Sequence, residues 1–206
     1  MTEPYNPLDK LNLARSIEVE LLGRPMAGFG ELGDLSGAGV YAIYYFGPFA
    51  AYAPITDGGR PIYVGKAIPK GGRKGGLGAN AGVERALRDR LGQHASSIQQ
   101  ATNLESGDFK VRALVVDDIW IPLGENMLIE SFQPVWNVVI DGFGNKTPGA
   151  RRATQFRSPW DVLHPGRTFA EMLAAHPLGV EVFEQRVRDY LAGKAVPLAP
   201  EGEGDD

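Results

Sequence analysis

Two short stretches decide the fold: Gly-Val-Tyr-Ala-Ile-Tyr-Tyr at residues 39–45 and Pro-Ile-Tyr-Val-Gly-Lys-Ala at residues 61–67. Both are rich in β-branched and aromatic residues and carry a glycine close to a tyrosine, which predicts two β-strands. If these strands pair as antiparallel neighbours, their two-residue period sets Tyr41 and Tyr63 on one face. Taken alone, the pattern favours a core hairpin in which buried tyrosines hydrogen-bond through their hydroxyls.

The composition is that of a globular chain with a local basic stripe. The 206 residues are 43% hydrophobic and 22% charged, and no cysteine is present, which excludes disulfides, thiolate zinc sites and cysteine nucleophiles. The formal net charge is −4, yet residues 60–94 hold eight Lys/Arg against two acids. Such an excess is the electrostatic footprint of phosphate binding. Without a visible secretory signal or a long apolar run, the default expectation is a cytoplasmic protein.

Apolar spacing and turn residues predict the other elements of one domain. We expect an α/β (α+β) fold, in which a small antiparallel sheet of about three strands is flanked by helices and extended by helices at both ends. The predicted helices cover 7–23, 83–99, 123–133, 167–175 and 179–192, and the third strand covers 108–117.

Three other segments are predicted to be irregular. Residues 47–60 are expected to form a surface loop, with a loop that reaches into a groove as the alternative. Residues 70–82 are glycine-rich, and their three cations suit either a sequence-independent phosphate contact or a mobile, solvated linker. They lack the Gly-Lys-Ser/Thr ending of a nucleotide-binding loop. Residues 193–206 are expected to be a disordered acidic tail.

Four polar residues follow the two strands at informative positions. Arg90 and His94 are four residues apart and share one face of a predicted helix. Glu125 lies near the start of a later helix, and Asn137 follows Pro-Val-Trp. Each residue has an ordinary interpretation by itself: a solvated surface pair, an acid near a helix N-terminus and a turn cap.

In their order along the chain, these residues resemble the GIY-YIG nuclease superfamily over residues 38–138. The triplets Gly39-Val40-Tyr41 and Tyr63-Val64-Gly65 correspond to its two name-giving motifs. The number of residues between Tyr41 and Tyr63 exceeds the usual spacing of that superfamily, which indicates an insertion at 47–60. The candidate catalytic residues are Tyr41, Tyr63, Arg90, His94, Glu125 and Asn137.

The resemblance implies a magnesium-dependent phosphodiesterase. In that family the arginine, here Arg90, holds the scissile phosphate and offsets charge in the transition state. Glu125 would be the single protein carboxylate on a Mg²⁺ ion, for which Mn²⁺ can substitute. Asn137 would support this carboxylate or the phosphate, and Tyr63 would position water or phosphate.

Two residues stay open as the general base. Free histidine titrates near pH 6.5 and is mostly neutral at physiological pH, so His94 can accept a proton without a shift of its pKa. For Tyr41, a pKa shift from about 10 to about 7.5 requires roughly 3.4 kcal/mol. A divalent cation nearby stabilises a phenolate by on the order of 6 kcal/mol before the cost of desolvation is subtracted, and a nearby Arg90 or Lys66 would stabilise it further. We therefore expect one of the two to act as the base and the other to orient it.

Beyond residue 138 the chain resembles the type II restriction enzymes of this superfamily, notably at 137–145 and 164–167. The nearest branch cuts GC-rich palindromes of the CCGCGG type. This implies double-stranded DNA as the substrate, a homodimer matched to the palindrome, and a cognate DNA methyltransferase in the same system. Residues 139–192 would form a DNA-contacting and packing extension. The predicted DNA contacts are Lys66, Lys70, Arg73, Lys74, Asn145, Lys146, Arg151, Arg152, Gln155 and Arg157.

Three alternatives are weighed against this interpretation. A repair or structure-specific nuclease shares the same core, and a DNA-binding module without catalysis would retain the basic stripe. The run Asp108-Phe109-Lys110 looks like the end of the metal motif of another nuclease type. That motif needs a further acid on an adjoining strand, and no suitable strand upstream supplies one.

Overall fold

Seven α-helices surround a central sheet in the part of the chain that the structure describes. The structure is a computed structural model, and it describes residues 10–33, 35–69, 84–145 and 155–199. No helix among these residues is both long enough and apolar enough to cross a membrane. The helices are α1 (Lys10–Leu22), α2 (Ala86–Gln100), α3 (Ile121–Phe132), α4 (Val135–Val138), α5 (Pro159–Leu163), α6 (Thr168–Glu171) and α7 (Val180–Leu191).

The three strands form one antiparallel sheet in the order β2-β1-β3. Strand β1 is Gly39–Tyr45, β2 is Tyr63–Ala67 and β3 is Phe109–Val115. In the register between β1 and β2, Tyr41 lies opposite Gly65. The architecture confirms the predicted α+β class, including the antiparallel pairing of the first two strands.

Alternation along β1 divides the apolar core between the two sides of the sheet. Tyr41, Ile43 and Tyr45 belong to a large aromatic-rich cluster on one side, to which α2 and α7 contribute. Ala42 and Tyr44 belong to a smaller cluster on the other side, which α1 and α3 cover. The sheet therefore offers an aromatic face and an aliphatic face, and the predicted site residues come from both.

The segment between the first two strands contributes to the core. Residues Ala50–Ile55 form a 3₁₀ helix in which Tyr52 is fully buried. The Tyr52 hydroxyl lies 2.6 Å from His164 Nε2 and accepts a hydrogen bond from Trp136 Nε1 at 2.8 Å. Burying the ring is favourable because its polar end finds these partners. The expectation of a surface loop is therefore wrong for Ala50–Ile55.

The C-terminal part differs from expectation in two places. The helix expected over 167–175 is limited to the four residues of α6, because the chain then leaves the helix and Ala174 forms a β-bridge with Phe156. Of the tail expected over 193–206, residues 193–199 belong to the described part of the chain. The Ala199 amide there donates to the Val138 carbonyl at 2.7 Å. Residues 200–206 lie outside the described part of the chain.

Candidate active site

A buried phenol–imidazole pair lies on the aromatic face of the sheet. Tyr41 Oη is 2.6 Å from His94 Nε2, and both side chains are buried. The Tyr63 ring centroid lies 6.3 Å from that of Tyr41 and 5.2 Å from that of His94. Phe143 stacks on the His94 ring with a centroid distance of 4.5 Å and an interplanar angle of 19°. Three predicted site residues thus form one aromatic cluster.

Local sequence explains how this pair forms. A Cβ at position 65 would lie 2.4 Å from Tyr41 Oη and 2.6 Å from its Cζ, so only glycine lets the ring cross the neighbouring strand. His94 belongs to the buried stripe of α2, together with Leu91 and Ile98 at helical spacing. The α2 packing therefore points the imidazole at the sheet, where Gly65 leaves room for the phenol.

The Arg90 guanidinium lies beside the pair. Its Nη1 donates to Gln93 Oε1 at 3.3 Å and its Nη2 donates to the Gly144 carbonyl at 3.4 Å. Burial raises the pKa of Tyr41 well above its ordinary value; the charge of Tyr63 adds to this effect, while the charge and hydrogen bond of Arg90 oppose it.

Burial therefore favours the neutral phenol over the Tyr41 phenolate that we considered as a base from the sequence. Arg90 can only donate, so the Tyr41 oxygen accepts the hydrogen bond from Arg90 and keeps its own proton. We therefore assign Tyr41 Oη as the donor and His94 Nε2 as the acceptor of the 2.6 Å contact. This effect on the Tyr41 pKa arises from desolvation by the surrounding core, which no local sequence pattern reveals.

An ion pair lies on the other side of β2. Lys66 Nζ is 2.6 Å from Glu125 Oε2, and the two side chains are 20% and 15% exposed. Glu125 comes from α3, where Gly124 packs against the side chain of Val40 on β1 and brings the helix close to the sheet. The Glu125 charge contributes to raising the Tyr41 pKa, so the ion pair and the phenol act on one another across β2.

Glu125 is suited to hold a divalent cation as a single carboxylate ligand. Among the described residues, no group of three or more His, Asp or Glu could hold a metal ion, which also leaves the Asp108-Phe109-Lys110 run without a described metal cluster. Mg²⁺ keeps several waters and is commonly bound through one or two carboxylates and substrate phosphates. A partly exposed carboxylate fits this mode, and the Lys66 ammonium already neutralises it.

Asn137 secures the edge strand. Its Oδ1 accepts from the Val64 amide at 2.8 Å, and its Nδ2 donates to the Val64 carbonyl at 2.8 Å. The expectation was a direct support of the carboxylate or the phosphate. In the structure both polar atoms of the side chain bind β2 backbone, so Asn137 acts on Tyr63 and Gly65 through the strand that carries them.

The predicted DNA contacts have different outcomes. Lys66 is paired with Glu125, while Asn145 and Gln155 are exposed. The Arg157 guanidinium donates to the Ala170 and Glu171 carbonyls at 3.0 and 3.3 Å, so it supports α6 in the DNA-free protein. The predicted contacts that lie outside the described residues are Lys70, Arg73, Lys74, Lys146, Arg151 and Arg152.

Sequence reasoning missed a polar cluster behind the aromatic face. Arg167 was noted in the sequence within the run 164–167 without a role of its own, yet its side chain is 1% exposed and pairs with Asp161. His164 lies between Tyr52 Oη at 2.6 Å and Asn103 Oδ1 at 3.0 Å. The run His-Pro-Gly-Arg at 164–167 is the available sequence signal for this cluster, since a histidine and a glycine next to the arginine are not typical of a plain basic surface.

Two tyrosine triplets on paired strands, with the arginine–histidine helix and the glutamate helix packed around them, define a GIY-YIG nuclease domain. A family model described as the Eco29kI GIY-YIG domain matches residues 34–191, which is more than half of the chain, so the protein belongs to this family of nucleases. A search of curated proteins found no match.

Proposed function

We propose that the protein is a type II restriction endonuclease that hydrolyses phosphodiester bonds of double-stranded DNA in the presence of Mg²⁺. The observation that carries this proposal is the contact of Tyr41 with His94, flanked by Arg90 and by the Lys66–Glu125 pair, in a member of the Eco29kI GIY-YIG family. The arrangement joins a proton acceptor, a phosphate-binding cation and a single metal-binding carboxylate around one edge strand.

The phenol–imidazole pair can move one proton. When the attacking water gives its proton to Tyr41 Oη, the phenol proton passes to His94 Nε2 over the 2.6 Å contact. Each group then has its own role: the phenol stays neutral, and the proton with its positive charge ends on the buried His94 imidazole. Burial disfavours a phenolate, which supports this relay over a Tyr41 that ionises before the reaction.

The cations complete the site. Arg90 offers a planar guanidinium that binds two phosphate oxygens and offsets the charge added in the transition state. Glu125 would hold a Mg²⁺ ion, which would supply Lewis-acid stabilisation of the leaving oxygen. Lys66 holds the Glu125 carboxylate in place and is available to a phosphate oxygen when that carboxylate has another partner.

The proposed recognition site is a GC-rich palindrome of the CCGCGG type, supported by the family membership and by the resemblance at 137–145. A palindrome is matched by a two-fold symmetric homodimer with one active site per strand. Asn145 and Gln155 are exposed and flank residues 146–154, which contain the remaining proposed base readers of this region. A cognate methyltransferase and a cytoplasmic location belong to the same proposal.

The test is cleavage of plasmid DNA with Mg²⁺, with Mn²⁺ and with EDTA, followed by sequencing of the ends. We expect discrete, metal-dependent fragments whose ends share one palindrome. Nicking confined to damaged or branched DNA would replace the proposal with a repair function. A gel shift without scission in any metal would replace it with a binding module.

A further inference from the structure

Arg167 carries a buried charge that the proposed chemistry does not use. Its Nε donates to Asp161 Oδ1 at 2.7 Å and its Nη2 donates to Oδ2 at 2.8 Å. The guanidinium lies 4.5 Å from the Trp160 ring centroid and 4.8 Å from that of Phe169. Because a buried ion pair gives little net stability over apolar packing, its geometry is the more informative property.

The other donors of this guanidinium hold a turn of the backbone, residues 142–145, which we call the Arg167 loop. Nη2 donates to the Gly142 carbonyl at 2.7 Å, and Nη1 donates to the carbonyls of Phe143 and Asn145 at 3.0 and 3.3 Å. A rigid fork of N–H donors can serve a carboxylate and several carbonyls together, whereas a lysine ammonium is a single point. Arginine is thus the side chain that this loop requires.

The Arg167 loop reaches the candidate active site at two points. The Phe143 ring stacks on the imidazole of His94 at 4.5 Å. The Gly144 carbonyl accepts a hydrogen bond from Arg90 Nη2 at 3.4 Å. A shift of this loop therefore changes the support of both the proposed proton acceptor and the proposed phosphate ligand.

The loop has little freedom to adopt another path. Gly142 has φ +102°, a conformation that L side chains rarely adopt, and a Cβ there would lie 2.1 Å from Ser158 Oγ. Ser158 in turn donates to Asp161 Oδ2 at 2.7 Å. The carboxylate, the guanidinium and the loop backbone therefore form one closed network.

We propose that Arg167 is a positioning residue of the nuclease site, which acts through the Arg167 loop on the His94 imidazole and the Arg90 guanidinium. Its catalytic consequence rests on the proposed function. Its structural consequence, the placement of Phe143 on His94, is measurable without DNA. Arg167 itself remains behind the loop and takes no part in the chemistry.

The first measurement is the NMR spectrum of the DNA-free protein. Arg167→Lys keeps a charge opposite Asp161 but cannot hold the whole loop, so the ring-current shift of Phe143 on the His94 ring protons is expected to decrease. The chain has three histidines, and a His94→Ala variant assigns the signal. An unchanged His94 signal in folded Arg167→Lys would overturn the inference.

The second measurement is steady-state DNA cleavage. We expect Arg167→Lys to lower kcat by roughly 10- to 100-fold, because the support of the reacting groups is lost. The change in KM should be smaller, since Asn145 is the one predicted DNA contact within the loop. The matched control is Arg112→Lys, whose guanidinium also donates to two backbone carbonyls, those of Leu22 and Arg24, but on the aliphatic side of the sheet. This control is expected to retain the wild-type kcat.

A second variant tests the same link from its other end. Phe143→Leu leaves the Arg167 network in place and removes the stacked ring, so its kcat should fall in the same way. A cooperative thermal melting transition would show that this variant is folded. Wild-type kcat in Phe143→Leu or in folded Arg167→Lys would contradict the inference. Failure of the wild type to cleave DNA would instead refute the proposed function, and the NMR comparison would still decide the inference.

Discussion

Replacing Gly65 with alanine adds one methyl group at the closest approach of β1 and β2. The new Cβ would lie 2.4 Å from Tyr41 Oη, where ordinary contact begins at 3.4 Å, so the phenol must move by about 1 Å. A movement of this size breaks the contact with His94. We expect a loss of activity on the order of 100-fold, because misplacement by about 1 Å has that effect on positioned groups.

Stability should change as well, by an amount typical of overpacking. An extra methyl in a packed core costs about 1–3 kcal/mol. For a chain of this length, each 1 kcal/mol corresponds to roughly 2–4 °C in Tm. The Gly65→Ala protein should therefore remain folded at 25 °C but melt several degrees earlier than the wild type.

The matched control is Gly92→Ala on α2, between Arg90 and His94. A Cβ at Gly92 would meet nothing within 4 Å, and alanine in a helix is more stable than glycine by about 0.5–1 kcal/mol. Thermal melting and plasmid cleavage of both variants give the comparison. Gly92→Ala should keep its activity and melt later; wild-type cleavage and Tm in Gly65→Ala would refute the proposed role of the Tyr41–His94 contact.

Two further predictions concern the groups that support the site. Burial, with a smaller effect of the Arg167 charge, lowers the pKa of His164 to about 3, so below pH 6.5 the unfolded chain binds a proton that the folded protein refuses. The free energy of unfolding should therefore fall by about 2 kcal/mol between pH 6.5 and pH 5. Urea titrations should show this loss in the wild type and not in His164→Gln. An equal pH dependence of the unfolding free energy in both proteins would contradict the prediction. Asn137→Ala removes both hydrogen bonds to Val64 and should cost about 1–3 kcal/mol; amide hydrogen exchange at Val64 should accelerate with it, and unchanged protection there would show that the side chain does not secure β2.

The strands were predictable because their signals are local. Gly39–Tyr45 and Tyr63–Ala67 are short, β-branched and aromatic runs bounded by turn residues, and their observed ends lie within two residues of the predicted ones. The 3₁₀ helix at Ala50–Ile55 was not predictable in the same way. Its central residue, Tyr52, is held by Trp136 and His164, which are 84 and 112 residues away along the chain.

The site shows the same division. The family pattern, which encodes residue type and spacing, led us to group Tyr41, Tyr63 and His94, and these three side chains lie together in the structure. The partners of the supporting side chains were not visible: Asn137 and Arg167 bind backbone groups, which every residue has and no sequence pattern marks. The raised pKa of Tyr41 depends on burial, which is a property of the assembled core.

The most direct test of a nuclease that depends on one carboxylate is a pair of variants on α3. Glu125→Gln keeps the shape of the side chain and removes its charge, while Glu130→Gln makes the same change at an exposed position of the same helix. We predict that Glu125→Gln produces no discrete DNA fragments at any Mg²⁺ concentration and that Glu130→Gln cleaves like the wild type. Unimpaired, metal-dependent cleavage by a folded Glu125→Gln protein would contradict the proposed active site.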